Sequence, residues 1–230
     1  MSDVQKVQVG EVQLAYRVWG EEDAPPAVLL HCLGEDGEDW RGVVGRLAGT
    51  HRVYALDQRG HGLSDWPGEY GFARWRDDAI GFLQALGLER VALIGHSLGA
   101  VAALLLAADR PELVDRLVLE EVPPPVPADP PQEVPEQPAG PQSFDWHAKA
   151  AVVAERNAPD PLWWDAPAKV TAPTLVIGGG GSSHIPQDHL AGLAERIPDA
   201  RLVTVEGAGH LVHEERPGEF LAAVTSFLAS

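Results

Sequence analysis

Short apolar runs alternate along the chain with segments of helical periodicity, and this alternation constrains the fold more than any other feature. The runs show little polar–apolar alternation of their own, which is typical of strands covered on both faces. They lie at 27–30, 53–56, 91–94, 117–119 and 174–177, with a weaker candidate at 202–205. Helical spacing occurs between them at 40–47, 73–86, 98–108, 188–197 and 217–228. This order predicts an α/β fold with a mostly parallel sheet and helices on both faces.

Two segments depart from this pattern, one at the N-terminus and one in the middle of the chain. Residues 4–9 and 12–19 alternate around a Gly-Glu turn, which predicts an antiparallel hairpin at the N-terminus. Nine prolines fall between Val122 and Gln142 and exclude helix or central strand over most of that length. A helix with Asp145 as its N-cap is expected within 144–167. We therefore predict a core of 1–121 and 168–230 that carries a short cap or lid insertion at 122–167.

Length, charge and cysteine content limit the classes of function. The 230 residues suffice for one domain with a full core, and the net charge of -17 disfavours nucleic acid or an anionic membrane surface as a partner. A single cysteine, Cys32, excludes an internal disulfide and a cysteine cluster. The N-terminus shows neither a signal sequence nor a membrane span, so a cytoplasmic location is expected. The sequence predicts no oligomeric state.

The strongest chemical signal is the segment Gly95-His96-Ser97-Leu98-Gly99. It follows the run at 91–94 directly and precedes an alanine-rich helical segment. A G-x-S-x-G motif in this context is typical of a nucleophile elbow, in which a strained turn exposes the serine and the following helix directs its amides at developing negative charge. Ser97 is therefore the candidate nucleophile.

Together with three further segments, the elbow resembles the α/β-hydrolase superfamily over nearly the whole chain. His31-Cys32-Leu33-Gly34 is similar to the family's oxyanion loop. The other two segments are 57–65, DQRGHGLSD, and 207–217, GAGHLVHEERP. The resemblance implies the α/β-hydrolase fold, a serine hydrolase with a catalytic triad, and no cofactor or metal.

The resemblance also assigns roles within the site. His210 corresponds to the family's general base, which a serine hydroxyl needs to become a nucleophile. The backbone amides of Leu33 and Leu98 correspond to the oxyanion hole. Cys32 stands where the family usually has glycine, and we interpret it as a small apolar filler.

The acid of the triad departs from the common family pattern. Most relatives carry an aspartate after the seventh strand, but here that strand is followed by GGGGSSHIP at 178–186, which holds no carboxylate. A family variant has the acid at the end of the sixth strand, where this chain has Glu120 and Glu121. Glu121 matches that position best, with Glu120, or no acid partner, as the alternatives.

Four side chains are candidates for the substrate pocket: His96, Trp146, Trp163 and Trp164. The tryptophans are expected either to form an apolar roof over Ser97 or simply to dock the insertion. The roof would favour a small, hydrophobic substrate.

The function predicted is hydrolysis of a small carboxylic ester or lactone through an acyl-enzyme, by a serine esterase or lactonase. Two alternatives stay open. One is a carbon–carbon bond hydrolase or perhydrolase on the same scaffold. The other is a non-catalytic ligand-binding protein, because fold alone does not fix function.

Overall fold

A computed structural model describes residues 3–230. Its strands are β1 Gln5–Val9, β2 Val12–Trp19, β3 Pro26–Leu30, β4 Arg52–Leu56, β5 Val91–His96, β6 Val114–Glu120, β7 Thr174–Gly178 and β8 Ala200–Thr204. Its α-helices are α1 Arg41–Leu47, α2 Phe72–Ala85, α3 Leu98–Asp109, α4 Trp146–Asn157, α5 Pro161–Asp165, α6 Gln187–Arg196, α7 Val212–Glu215 and α8 Pro217–Leu228. None of the helices in this part of the chain is long and apolar enough to cross a membrane.

The strands form one eight-stranded sheet in the order β1-β2-β4-β3-β5-β6-β7-β8. The β1–β2 and β2–β4 pairs are antiparallel, and all pairs from β4 to β8 are parallel. The predicted fold class is therefore confirmed, including the N-terminal hairpin. Because β3, β5, β6 and β7 lie side by side and in parallel, the segments that follow them meet at one edge of the sheet.

Helices cover both faces of this sheet. Along β3, Val28 and Leu30 pack into the core below α2 and α3, whereas Ala27 and Leu29 pack into the core below α1 and α8. Strand side chains point alternately to the two faces of the sheet. Because helices cover both faces here, the strand sequences are continuous apolar runs.

The insertion differs in detail from the prediction. Residues 122–145 form no regular helix or strand, as the prolines require. The helix expected within 144–167 is two helices, α4 and α5, because the Ala158-Pro159-Asp160-Pro161 segment cannot continue α4. Asp145 caps α4, and its carboxylate accepts a hydrogen bond from the His147 amide. The division into a core and a lid at 122–167 remains a prediction.

Candidate active site

Ser97 occupies a sharp turn between β5 and α3. Its backbone has φ 51° and ψ -109°, a positive-φ conformation that residues other than glycine rarely adopt. The flanking glycines are required by contact: a Cβ on Gly95 would lie 2.4 Å from the Gly99 carbonyl oxygen, and one on Gly99 would lie 2.2 Å from that of Leu30. The turn therefore presents the Ser97 hydroxyl beyond the end of the strand, as a nucleophile elbow requires.

The loop after β3 is fixed by a buried histidine. Nε2 of His31 accepts a hydrogen bond from the Gln58 amide over 2.9 Å, so its Nδ1 carries the proton and donates to the Cys32 carbonyl over 2.7 Å. Burial lowers the pKa of His31, which keeps this ring neutral. The loop thus brings Leu33 to the same cavity wall as Leu98, whose amide is one of the unsatisfied N–H groups at the start of α3.

Glu121 and His210 form a hydrogen-bonded pair at the same edge of the sheet. Nδ1 of His210 lies 3.2 Å from Oε2 of Glu121. A carboxylate accepts hydrogen bonds, so Nδ1 is the donor in this pair, and in the neutral ring Nε2 is then the acceptor. The Glu121 side chain is fully buried, while that of His210 is 20% exposed. This is the arrangement that orients a histidine as a general base.

The glycine-rich loop after β7 surrounds the Glu121 carboxylate with donors. The Gly179 amide donates to Oε1 over 2.6 Å, Gln187 donates to the same oxygen over 3.3 Å, and the Ser183 hydroxyl donates to Oε2. Burial alone would raise the pKa of Glu121, but the hydrogen bonds from His210, Ser183 and Gly179 outweigh it and the pKa lies below its ordinary value. The loop after β7, which holds no carboxylate of its own at 178–186, therefore supplies hydrogen-bond donors to Glu121, the residue that directly follows β6.

Comparison with known proteins identifies the family. Residues 27–224 match the model of the alpha/beta hydrolase family. The chain belongs to this family. It is similar to the 2-(acetamidomethylene)succinate hydrolase of Mesorhizobium japonicum, with 30% identity over 97% of this chain and 94% of the relative. It is also similar to the sn-1-specific diacylglycerol lipase ABHD11 of Mus musculus, with 27% identity over 91% of this chain and 83% of the relative.

Solved structures give the same result. The alignment with the structure of E-2-(acetamidomethylene)succinate hydrolase covers 100% of this chain and 100% of that chain, with a TM-score of 0.86 and 25% identity. The enol-lactonase of Burkholderia xenovorans covers 98% of this chain and 100% of its own, with a TM-score of 0.85 and 25% identity. Relatives of this kind support an enzyme.

In this alpha/beta hydrolase, Ser97 and His210 line one cavity of about 440 Å³ together with Leu33 and Leu98. The structure thus brings the predicted nucleophile, base and oxyanion residues to a common space. Charged side chains of this wall are Glu35, Lys149 and Arg156. The remaining lining residues are Cys32, Phe72, Pro123, Val152, His184, Ile185 and Leu211.

Glu120 serves a second histidine, away from the cavity. It accepts hydrogen bonds from the amide of His213 over 2.9 Å and from its Nδ1 over 2.9 Å. Nε2 of His213 lies 3.2 Å from Oδ1 of Asp39, an ion-pair contact whose angle is poor for a hydrogen bond. Burial opposes the charged ring, but Glu120 and Asp39 outweigh it and raise the pKa of His213 to about 10. The result is a buried imidazolium between two carboxylates.

The structure places His96 behind the elbow rather than in the cavity wall. It is fully buried, and its Nε2 donates to the His210 carbonyl over 2.8 Å. Burial lowers its pKa to about 4, so the ring is neutral and supports the loop that carries His210.

Cys32, Asp39 and His96 bring potential metal-ligand atoms within 4.8 Å of one another. Burial raises the pKa of the Cys32 thiol well above its ordinary value, which keeps it protonated and a poor ligand. Asp39 already faces His213. We assign no metal to this cluster.

The three tryptophans lie outside the wall around Ser97, which corrects the expected roof. Trp163 packs edge-on against Phe72 with ring centroids 4.8 Å apart, and Trp164 is half exposed beneath Arg196. Trp146 donates from Nε1 to the Pro135 carbonyl over 3.0 Å. These contacts dock the insertion, because large aromatic rings gain burial wherever the lid meets the core.

Sequence reasoning missed the cavity residues that α4 supplies. Lys149, Val152 and Arg156 lie three and seven residues apart on α4, a spacing that puts them on one helix face. Their signal was present as helical periodicity, but the periodicity does not say which face meets the active site.

Proposed function

We propose that this alpha/beta hydrolase cleaves a small carboxylic ester or lactone through an acyl-enzyme. The observation that carries the proposal is that Ser97 and His210, which Glu121 holds by a hydrogen bond, border one cavity that Leu33 and Leu98 also line. The relatives include an enol-lactonase and a lipase, which supports acyl chemistry here.

Backbone strain supports the same assignment. Among residues 3–230, the non-glycine positions with positive φ are Ser97 at 51° and Glu121 at 50°. Such conformations cost about 1–3 kcal/mol each and persist where the surrounding structure holds them, often at active sites. In our proposal these two positions are the nucleophile and the acid.

The proposed reaction proceeds in two acyl transfers. As the Ser97 Oγ bonds to the carbonyl carbon, its proton passes to Nε2 of His210 and the carbonyl electrons move to an oxyanion held by the two amides. Collapse breaks the bond to the alcohol, which takes the proton from His210. Water then attacks the acyl-enzyme and gives a proton to the same nitrogen. The bond between the acyl carbon and Ser97 Oγ breaks, Oγ takes that proton back from His210, and the acid leaves.

The direct test uses two matched variants. Ser97→Ala is expected to abolish both labelling by a fluorophosphonate and turnover of a chromogenic ester, because the hydroxyl forms the covalent bond. Ser226→Ala removes an exposed hydroxyl from α8 and is expected to change neither. Labelling and turnover that survive in Ser97→Ala would refute the proposal.

A panel of short esters and lactones, assayed with the wild-type protein, distinguishes ester from lactone cleavage. A folded wild-type protein that neither labels nor turns over any member would favour a non-catalytic role.

A further inference from the structure

The charged side chains of the cavity around Ser97 are mostly positive, whereas the chain as a whole is strongly acidic. The protein has 34 acidic residues and 17 lysines and arginines, yet the cavity around Ser97 receives two cations, Lys149 and Arg156, and one carboxylate, Glu35. An acidic protein that places its cations beside the proposed nucleophile creates a local site for negative charge.

Neither cation has a protein partner. Among residues 3–230, the structure gives no hydrogen bond or ion pair to the Lys149 ammonium or the Arg156 guanidinium. Two other arginines that lie largely out of water are paired: the buried Arg17 binds Asp57 over 2.6 Å, and Arg59, whose side chain is 13% exposed, binds Asp78 over 2.6 Å. A charge held partly out of water without a counter-ion is costly. Two cations without counter-ions in one cavity therefore indicate that a ligand supplies the negative charge.

The surroundings of the two cations agree with that interpretation. Both side chains are half-buried, and burial lowers the pKa of Arg156. Val152, one turn from each, presents an apolar surface between them on the same helix face. The face therefore suits a hydrocarbon chain that ends in an anion.

The remaining charge in the cavity limits where that anion fits. Glu35 comes from the loop after β3, on the side of the oxyanion residues, and α4 comes from the lid. A substrate anion is repelled from the Glu35 side and attracted to α4.

We infer that the substrate of this site carries a carboxylate away from the scissile bond, and that Lys149 and Arg156 bind it from the lid helix. The inference rests on the proposed function, since it names the substrate class of the same site. It replaces the purely hydrophobic substrate that the tryptophans had suggested.

The test compares esters of equal chain length. The probes are mono-4-nitrophenyl adipate, which carries a terminal carboxylate on the acyl chain, and 4-nitrophenyl hexanoate, which does not. A third probe, 4-(hexanoyloxy)benzoate, moves the carboxylate to the leaving group. The wild-type protein is expected to prefer one of the anionic probes by about tenfold or more in kcat/KM, since hydrogen bonds to charged groups are worth about 1.5–3 kcal/mol. The preferred probe shows whether the acyl or the alcohol part reaches α4.

Lys149→Met and Arg156→Met are each expected to raise KM for the preferred anionic ester about tenfold and to lower kcat/KM for that ester much more than for the hexanoate. Arg156→Lys, which keeps the charge, should restore part of the preference. Lys169→Met and Arg46→Met remove exposed cations elsewhere and should leave the preference intact. Fluorophosphonate labelling of each variant shows that its fold and elbow are preserved.

The possible failures are distinguishable. A wild-type protein that hydrolyses the hexanoate as well as both anionic esters overturns the carboxylate site and leaves the serine hydrolase intact. Equal losses on charged and neutral esters in the lid variants also overturn it. A wild-type protein that neither labels nor cleaves any of the three probes contradicts the proposed function itself.

Discussion

Two neighbouring glutamates at the end of β6 each hold a histidine from the C-terminal segment, and their surroundings are opposite. Glu120 holds His213, whose second nitrogen faces Asp39, and all three side chains are at most 1% exposed. Glu121 holds His210, whose ring is 20% exposed and borders the cavity of Ser97. The same pair of residue types thus occurs once in the core and once at a cavity.

The difference shows that the partner of the second ring nitrogen decides what such a pair can do. In His213 both nitrogens face carboxylates, which raise its pKa to about 10 and leave a cation with no lone pair to accept a proton. In His210 the carboxylate engages Nδ1 and leaves Nε2 for a substrate or nucleophile. We therefore interpret the first pair as structural and the second as catalytic.

Removing the charge at Glu121 should have the largest effect on activity. In Glu121→Gln, the amide no longer stabilises the imidazolium of His210 and no longer selects the Nδ1–H tautomer, so kcat for an ester should fall by about 10⁴-fold. A lower melting temperature is expected as well, because the Gln amide places its N–H donors against the Gly179 and Ser183 donors, so kcat is taken per folded protein. Steady-state kinetics and differential scanning fluorimetry measure the two quantities, and a kcat within about tenfold of wild type would reject Glu121 as the acid.

Removing the charge at Glu120 should act mainly on stability. Glu120→Gln leaves the buried His213 ring without one of its two carboxylates, and breaking a buried pair of this kind costs about 3–5 kcal/mol in the free energy of unfolding. Chemical denaturation measures that loss, and kcat per fluorophosphonate-titrated site should stay within about tenfold of wild type. If instead kcat collapses while stability is unchanged, Glu120 is the catalytic acid and the two roles are exchanged.

The sequence predicts the sheet well because each of its strands is a local signal. The runs at 27–30, 91–94 and 174–177 match β3, β5 and β7 within two residues at either end, since a strand covered on both faces must be apolar throughout. The split of the lid helix was missed because its periodicity continues across Pro159 and Pro161.

The site divides in the same way between local and distant information. Ser97 and Glu121 follow from motif and strand position, since the chain next to them determines the turn. The Asp39–His213 contact joins residues that are far apart in sequence, and only the packing of α7 against the 3-10 turn Gly37–Trp40 before α1 brings them together. The tryptophans could not be assigned to the pocket from the sequence, because burial favours aromatic residues at any interface. The sequence also gave no indication that Lys149 and Arg156 on α4 would lack an ion-pair partner.

The pH dependence of stability gives the smallest and most specific test of the comparison. The folded pKa of His213, about 10, lies above the ordinary value of 6.5, so its contribution is complete below pH 6.5 and is lost as pH rises toward 10. Between pH 7 and about pH 8.5 the unfolded chain releases this proton while the folded protein keeps it. The free energy of unfolding should therefore fall by about 2 kcal/mol over that interval.

Glu120→Gln provides the control for this slope, because without its carboxylate the pKa of His213 falls and the folded and unfolded states titrate closer together. Staying below pH 9 keeps the buried Cys32 thiol out of the measurement, since its unfolded form ionises only near that pH. Urea unfolding of both proteins across the interval measures the slopes. Equal slopes would mean that His213 is neutral in the fold and forms no ion pair with Glu120 or Asp39. The distinction between a structural imidazolium and a catalytic imidazole would in that case be lost.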